Sequence, residues 1–119
     1  MVQNNLDYFC AEYGMEIAKC AKCKSDETTI QKSLGVLQED GLFAFILYLE
    51  SKNDACIKKE IAQLLNKVEL TQNANEKNLR KNIQEITRNI NDMFLAKDLI
   101  EKTLVYARYH AKALKDEEK

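Results

Sequence analysis

Hydrophobic residues recur at intervals of three and four along most of this 119-residue chain, which is the spacing of one face of an α-helix. The first segment shows it most clearly and predicts a helix from about Asn4 to Cys23. Its apolar stripe consists of Leu6, Phe9, Cys10, Tyr13, Ile17 and Cys20. A second, shorter helix is expected next, with Asp26 or Thr28 as its N-terminal cap. The core positions of that helix are Ile30, Leu34 and Leu37.

The stretch from Leu42 to Leu49 is apolar on all sides, so periodicity alone fits either a buried strand or a buried helix. Asp40 and Gly41 precede it as a cap and a turn. The sequence contains no second strand candidate with which this stretch could pair. We therefore predict a central helix that the other helices surround.

The second half of the chain predicts two or three more helices. The fourth helix has its core positions at Ile57, Ile61, Leu64, Leu65 and Val68. The polar, asparagine-rich stretch at 71–78 fits a loop or a frayed helix start. From about residue 75 to residue 115, apolar residues recur at intervals of three and four on one continuous helix face. This pattern fits either one long helix or two. Asparagine and aspartate at 89–92 favour a break there, with Asn91 or Asp92 as the cap.

Composition agrees with an all-α fold. The chain has no proline and only three glycines, so it lacks the turn residues that strand-rich sandwiches and barrels need. Its length suits one compact domain. We predict a single helical domain over residues 1–119, a bundle of five to six helices around the central apolar helix, with a disordered tail from about residue 116.

Charge and hydropathy restrict the classes of protein further. A net charge of −1 excludes nucleic-acid binding through overall positive charge but leaves room for a local basic face. The longest apolar run, Leu42 to Leu49, is far shorter than the ~20 residues that cross a bilayer. The N-terminus lacks the features of a signal peptide. We expect a cytoplasmic protein without membrane contact, in which cysteines are reduced.

Candidate catalytic and metal-binding residues are few. Cys20 and Cys23 form a Cys-x-x-Cys pair, and Cys10 and Cys56 bring the number of cysteines to the four ligands of a zinc site. Cys10 and Cys20 lie on the apolar stripe of the first helix, so we expect four reduced thiols, no metal and no cofactor; a metal site and redox chemistry are the alternatives. His110 is the single histidine and has no catalytic partner nearby in sequence. The chain is therefore predicted not to be an enzyme.

Basic residues are the remaining candidates for a binding site. Arg108, Lys112 and Lys115 share one face of the last predicted helix, because their spacing is four and three. Such a row suits the phosphates of a nucleic-acid backbone and equally suits solvent. Two adjacent pairs are further candidates, Lys58-Lys59 in the fourth helix and Arg80-Lys81 in the fifth.

Two segments resemble the small helical subunit of type III-B CRISPR effector complexes, the Cmr RNA-guided module. The segment LGVLQEDGLFAFILYLESK, from Leu34 to Lys52, is similar to that family's short helix, Asn-Gly-Leu turn, apolar helix and Ser-Lys ending. The segment LVYARYHAKAL, from Leu104 to Leu114, is similar to its C-terminal helix. The order of the elements, the length and the all-helical character also agree.

The resemblance implies a noncatalytic structural subunit that acts in antiviral defence. Its copies would stack into a short filament beside other subunits of the complex. Together they would line the groove that holds the guide RNA and target RNA, through contacts to the RNA backbone. Arg108 matches the family's C-terminal basic position, and Lys112 and Lys115 extend it by helical spacing.

A different class of function fits the same sequence. The chain can be a helical protein–protein adaptor unrelated to RNA. Its contact face would then consist of Tyr106, Tyr109 and the exposed part of Leu42–Leu49.

Overall fold

The computed structural model describes residues 6–20, 24–52 and 55–117, without the side chains at 20, 24–27, 55 and 114–117. This part of the chain contains six helices and no strand. The helices are α1 (Leu6–Cys20), α2 (Lys24–Asp40), α3 (Leu42–Ser51), α4 (Ala55–Lys67), α5 (Leu79–Ile86) and α6 (Ile90–Glu117). The prediction of an all-α bundle of five to six helices is therefore confirmed.

The first and last helices form the largest helix–helix contact of the fold. α1 and α6 run side by side in the same direction, since the Cys10 thiol lies 3.4 Å from the Leu99 carbonyl oxygen while Met15 lines a cleft with His110. Gly14 lies between these points, directly against the α6 backbone. With its 28 residues, α6 is about 42 Å long at ~1.5 Å per residue and spans most of the longest dimension of the molecule, 45 Å.

α4 packs on another face of α1 and runs in the opposite direction. Lys67, near the end of α4, places its ammonium 5.7 Å from the ring centre of Phe9, near the start of α1. A small apolar cluster lies between α1, α4 and α6, with Cys10, Leu64 and Leu99 at its centre. α1 is thus held on two sides, which fixes the position of α6 relative to the rest of the bundle.

α3 is the apolar helix predicted at the centre, and it packs against α2, α4 and α5. Its buried residues are Leu42, Phe45, Ile46 and Leu49. One correction concerns its outer face, because Phe43 and Leu47 are 38% and 41% exposed. Three neighbouring helices leave one strip of α3 open to solvent, so the helix is not surrounded on all sides.

The helix boundaries differ in places from those expected. The predicted ends of α1, Asn4 and Cys23, lie outside the described residues. α2 begins at Lys24, so Asp26 and Thr28 lie inside the helix and not at its cap. Gly41 ends α2 and starts α3 with φ 101°, a left-handed conformation that favours glycine. α6 continues to Glu117, past the predicted start of the tail.

The region after α4 contains the predicted loop and the predicted break. Residues 71–78 are non-helical, and the Asn66 side chain fixes them by accepting the Ala74 amide at 3.0 Å and donating to the Ala74 carbonyl at 2.9 Å. α5 and α6 are separate helices, which resolves the alternative in favour of a break. The cap of α6 is Asn89, whose side-chain oxygen accepts the Asp92 amide at 3.1 Å; the prediction of Asn91 or Asp92 is wrong.

Candidate nucleic-acid interface

Arg108 and Lys112 lie on consecutive turns of α6 and are both exposed. α6 buries a stripe toward α1 and α2, and the residues between the stripe positions point outward. Among the described side chains neither Arg108 nor Lys112 forms an ion pair. Two cations are therefore available to a ligand on this face. The predicted third member, Lys115, belongs to α6, and its side chain lies outside the described residues.

The other predicted cations lie on two other helices. On α4, Lys58 is half-buried and Lys59 is exposed, and on α5 both Arg80 and Lys81 are exposed. Arg80 is already paired, with its Nε 3.7 Å from Glu50 Oε2 at the end of α3. Adjacent residues of a helix point in different directions, so neither pair forms a row. Of the predicted site residues, only Arg108 and Lys112 are described as lying together on one face.

The same face of α6 carries the opposite charge closer to its N-terminus. Glu101 precedes Arg108 by seven residues and Asp98 precedes Lys112 by fourteen, which is two and four turns on one side of a helix. Asp98 is exposed and Glu101 is half-buried. Val105 lies between the acidic and the basic turns. The formal charge of the side chains along this face therefore changes sign near Val105, which favours phosphate groups on its C-terminal half over its N-terminal half.

Tyr106 and Lys102 on α6 form a polar cluster with Asp7 on α1. The Tyr106 hydroxyl donates to Asp7 Oδ1 at 2.7 Å, and the Lys102 ammonium lies 3.0 Å from the same oxygen. These two contacts hold the pKa of the Asp7 carboxyl below its ordinary value, the hydrogen bond from Tyr106 being the larger cause. The cluster joins α1 to α6, and sequence reasoning missed it because its members lie far apart in the chain.

A cleft with a largely apolar lining lies where α1 meets the C-terminal half of α6. His110 is half-buried and borders a cleft of about 280 Å³ together with Tyr8, Glu12, Met15 and Glu16. The single histidine thus lies at the edge of the core, with carboxylates from α1 close by. Tyr109, its neighbour, is 69% exposed.

The cysteines differ from the expected set of four reduced thiols. Cys10 is free and buried, and burial raises the pKa of its thiol. Cys56 is disulfide-bonded, so the prediction of a reduced thiol is wrong at this position. Its partner lies outside the described side chains, as do Cys20 and Cys23. The sequence pattern could not reveal the bond because helical spacing does not report which helices come together.

The described part of the chain has neither a metal-ligating cluster nor a membrane-spanning helix. It contains no group of three or more histidine, cysteine, aspartate or glutamate side chains that could hold a metal ion. None of its helices has the length and apolar character needed to cross a bilayer. Comparisons with protein-family models, with curated proteins and with solved structures found no match to this chain.

Proposed function

We propose that this chain is a noncatalytic small subunit of a type III-B CRISPR effector complex. In this role its copies stack beside the subunits that carry the guide RNA. The C-terminal half of α6 then faces the backbone of the guide–target RNA duplex. The proposal is supported by the resemblance of residues 34–52 and 104–114 to that family and by the all-helical fold.

One observation carries the RNA part of the proposal. Arg108 and Lys112 are exposed, one turn apart and without ion pairs among the described side chains. Each phosphate contact to single-stranded nucleic acid contributes a salt slope of about −0.7, so two contacts from one chain give weak binding. Stacked copies repeat the contacts, and linkage raises their effective concentration. The isolated chain is therefore expected to bind RNA weakly and the assembled complex tightly.

The test compares target-RNA affinity of the reconstituted complex at two salt concentrations. Arg108→Glu/Lys112→Glu should weaken binding equally for all target sequences, because phosphate contacts carry no base information. The matched control is Lys32→Glu/Arg88→Glu, which changes the same charge at exposed positions of α2 and at the α5–α6 junction. Assembly is measured separately by size-exclusion chromatography. Unchanged affinity and salt slope in an intact complex would refute the role of this face.

A protein–protein adaptor is the second candidate function. The observation that favours it is the exposed strip of α3, where Phe43 and Leu47 lie one turn apart. Tyr109 is also exposed, whereas the Tyr106 hydroxyl is engaged by Asp7 and is less suited to a contact face. Phe43→Ser/Leu47→Ser distinguishes the two functions. The adaptor loses its protein partner with this variant, while an RNA-lining subunit keeps its target-RNA affinity.

A further inference from the structure

An open groove follows the outer face of α6 where the start of α1 lies beside it. Its volume is about 570 Å³, which is within the usual range of ligand pockets. Its lining residues are Leu6, Asp7, Asp98, Leu99, Glu101, Lys102 and Val105. The floor is apolar, with Leu99 buried and Val105 half-buried. The groove can therefore accept the aliphatic part of a long side chain.

The rim of the groove has an excess of negative charge. Lys102 is neutralised by Asp7 at 3.0 Å. Asp98 and Glu101 form no ion pair among the described side chains. Lysine and arginine have an aliphatic stem and a charged head, so they match an apolar floor with an acidic rim. Phosphate groups are repelled from the same place.

The same face of α6 supplies cations of this kind. Asp98 and Lys112 each lie seven residues from Val105, on opposite sides of it, and Glu101 and Arg108 lie four and three residues from it. When two copies of α6 meet face to face and antiparallel, each acidic turn of one copy opposes the basic turn of the other. A parallel arrangement would place like charges together. A contact with twofold symmetry uses the same surface on both subunits, so that surface must carry both the acidic and the basic residues.

We propose that two copies of this chain pair through antiparallel α6 helices, with Val105 near the twofold axis. Arg108 of each copy then opposes Glu101 of the other, and Lys112 opposes Asp98 at the groove. The contact strip from position 98 to position 112 is about 21 Å long. It is short and charged, so the pair is weak and sensitive to salt, unlike the larger interfaces of permanent dimers.

This pairing does not rest on the proposed RNA function. The pairing and the RNA contact both use Arg108 and Lys112. If the protein has both activities, this face can therefore bind either a second copy or RNA, but not both at once. The two proposals can fail separately. Asp98→Lys/Glu101→Lys should weaken the pairing and leave the cations that contact RNA in place.

Sedimentation of the isolated protein at increasing concentration in 0.1 M salt tests the pairing. We expect a monomer–dimer equilibrium that weakens at least tenfold in 1 M salt, because the screening length falls from about 10 Å to about 3 Å. Asp98→Lys/Glu101→Lys and Arg108→Glu/Lys112→Glu should each weaken it about tenfold or more, since four ion pairs between the copies become repulsive. Lys32→Glu/Arg88→Glu is the control, and circular dichroism confirms that each variant is folded.

Mixing the two charge-reversed variants provides the decisive measurement. One carries positive charges at positions 98, 101, 108 and 112 and the other carries negative charges at all four, so together they should pair at least as well as the wild type. A wild type that stays monomeric at 1 mM in 0.1 M salt would overturn the proposal. So would a dimer that both variants leave unchanged, or a mixture that fails to restore pairing.

Discussion

Replacing Gly14 with alanine should not stabilise the protein, although alanine is the better helix former. Gly14 is buried where α1 lies against α6. A Cβ atom at this position would lie 2.8 Å from the Thr103 carbonyl oxygen and 3.0 Å from the Ala107 nitrogen. Both are backbone atoms of a long helix, so neither can turn aside as a flexible side chain would. α1 must shift away from α6 to admit the methyl group.

Two opposing effects determine the size of the change. Alanine in place of glycine inside a helix gains about 1 kcal/mol. Overpacking a well-filled contact costs about 1–3 kcal/mol. Gly35 in α2 separates the two effects, because a Cβ atom there would meet nothing within 4 Å. Gly35→Ala should therefore be stabilising by about 1 kcal/mol, and Gly14→Ala should fall below it by about 1–3 kcal/mol.

Urea unfolding of both variants beside the wild type measures this difference directly. The same oxidation state must be used for all three proteins, because Cys56 is disulfide-bonded. We expect a raised midpoint for Gly35→Ala, a lowered or unchanged midpoint for Gly14→Ala and equal slopes for all. Gly14→Val should lose more stability than Gly14→Ala. Equal stabilisation by the two alanine variants would refute the close approach of α1 and α6.

Three further predictions concern the core, the α1–α6 cluster and the cysteines. Phe45→Ala should cost about 3–5 kcal/mol in a urea melt, since Phe45 is fully buried, and a loss below about 1 kcal/mol would contradict that position. Tyr106→Phe should bring the Asp7 pKa closer to its ordinary value in an NMR titration. Because the native pKa is depressed, the stabilisation from Asp7 is present above the ordinary pKa of about 3.9 and is lost as pH falls through the native value; an unmoved Asp7 titration would contradict this. A non-reducing digest should release Cys56 in a cross-linked peptide and Cys10 as a free thiol that resists alkylation in the folded protein, and recovery of free Cys56 would contradict the bond.

Most of the helices were predictable from the sequence because they bury one continuous stripe. α3 is apolar on all sides and was predicted as a helix because no second strand candidate exists. The repeat that contains Ile83, Ile86, Ile100 and Leu104 indicates helix whether or not the chain breaks at residue 89. The residue that caps a helix is harder to predict, because asparagine occurs at both 89 and 91 and either side chain could serve as the cap. Only the direction of the incoming chain determines that Asn89 accepts the Asp92 amide.

Contacts between distant helices could not be predicted in the same way. In the sequence, Gly14 is only a residue of low helix propensity, because its close contact with α6 is visible only in the folded structure. The bond between Asp7 and Tyr106 likewise depends on the parallel arrangement of α1 and α6, which no local pattern encodes. At the candidate site, helical spacing was sufficient to group Arg108 with Lys112. It was not sufficient to rank them above Arg80, whose pairing with Glu50 is a tertiary contact.

The pairing of α1 with α6 also has a consequence for synthesis on the ribosome. α1 is made first, yet the residues that cover it along Cys10 and Gly14 belong to the last helix. At about 5–20 residues per second, these residues follow α1 by roughly 4–16 s. During that interval the nascent chain can form α2 to α5 but must leave one side of α1 uncovered. Native docking of α1 therefore has to wait until α6 has been made, and a message truncated before α6 yields a chain in which chaperones and proteases can recognise the uncovered side of α1.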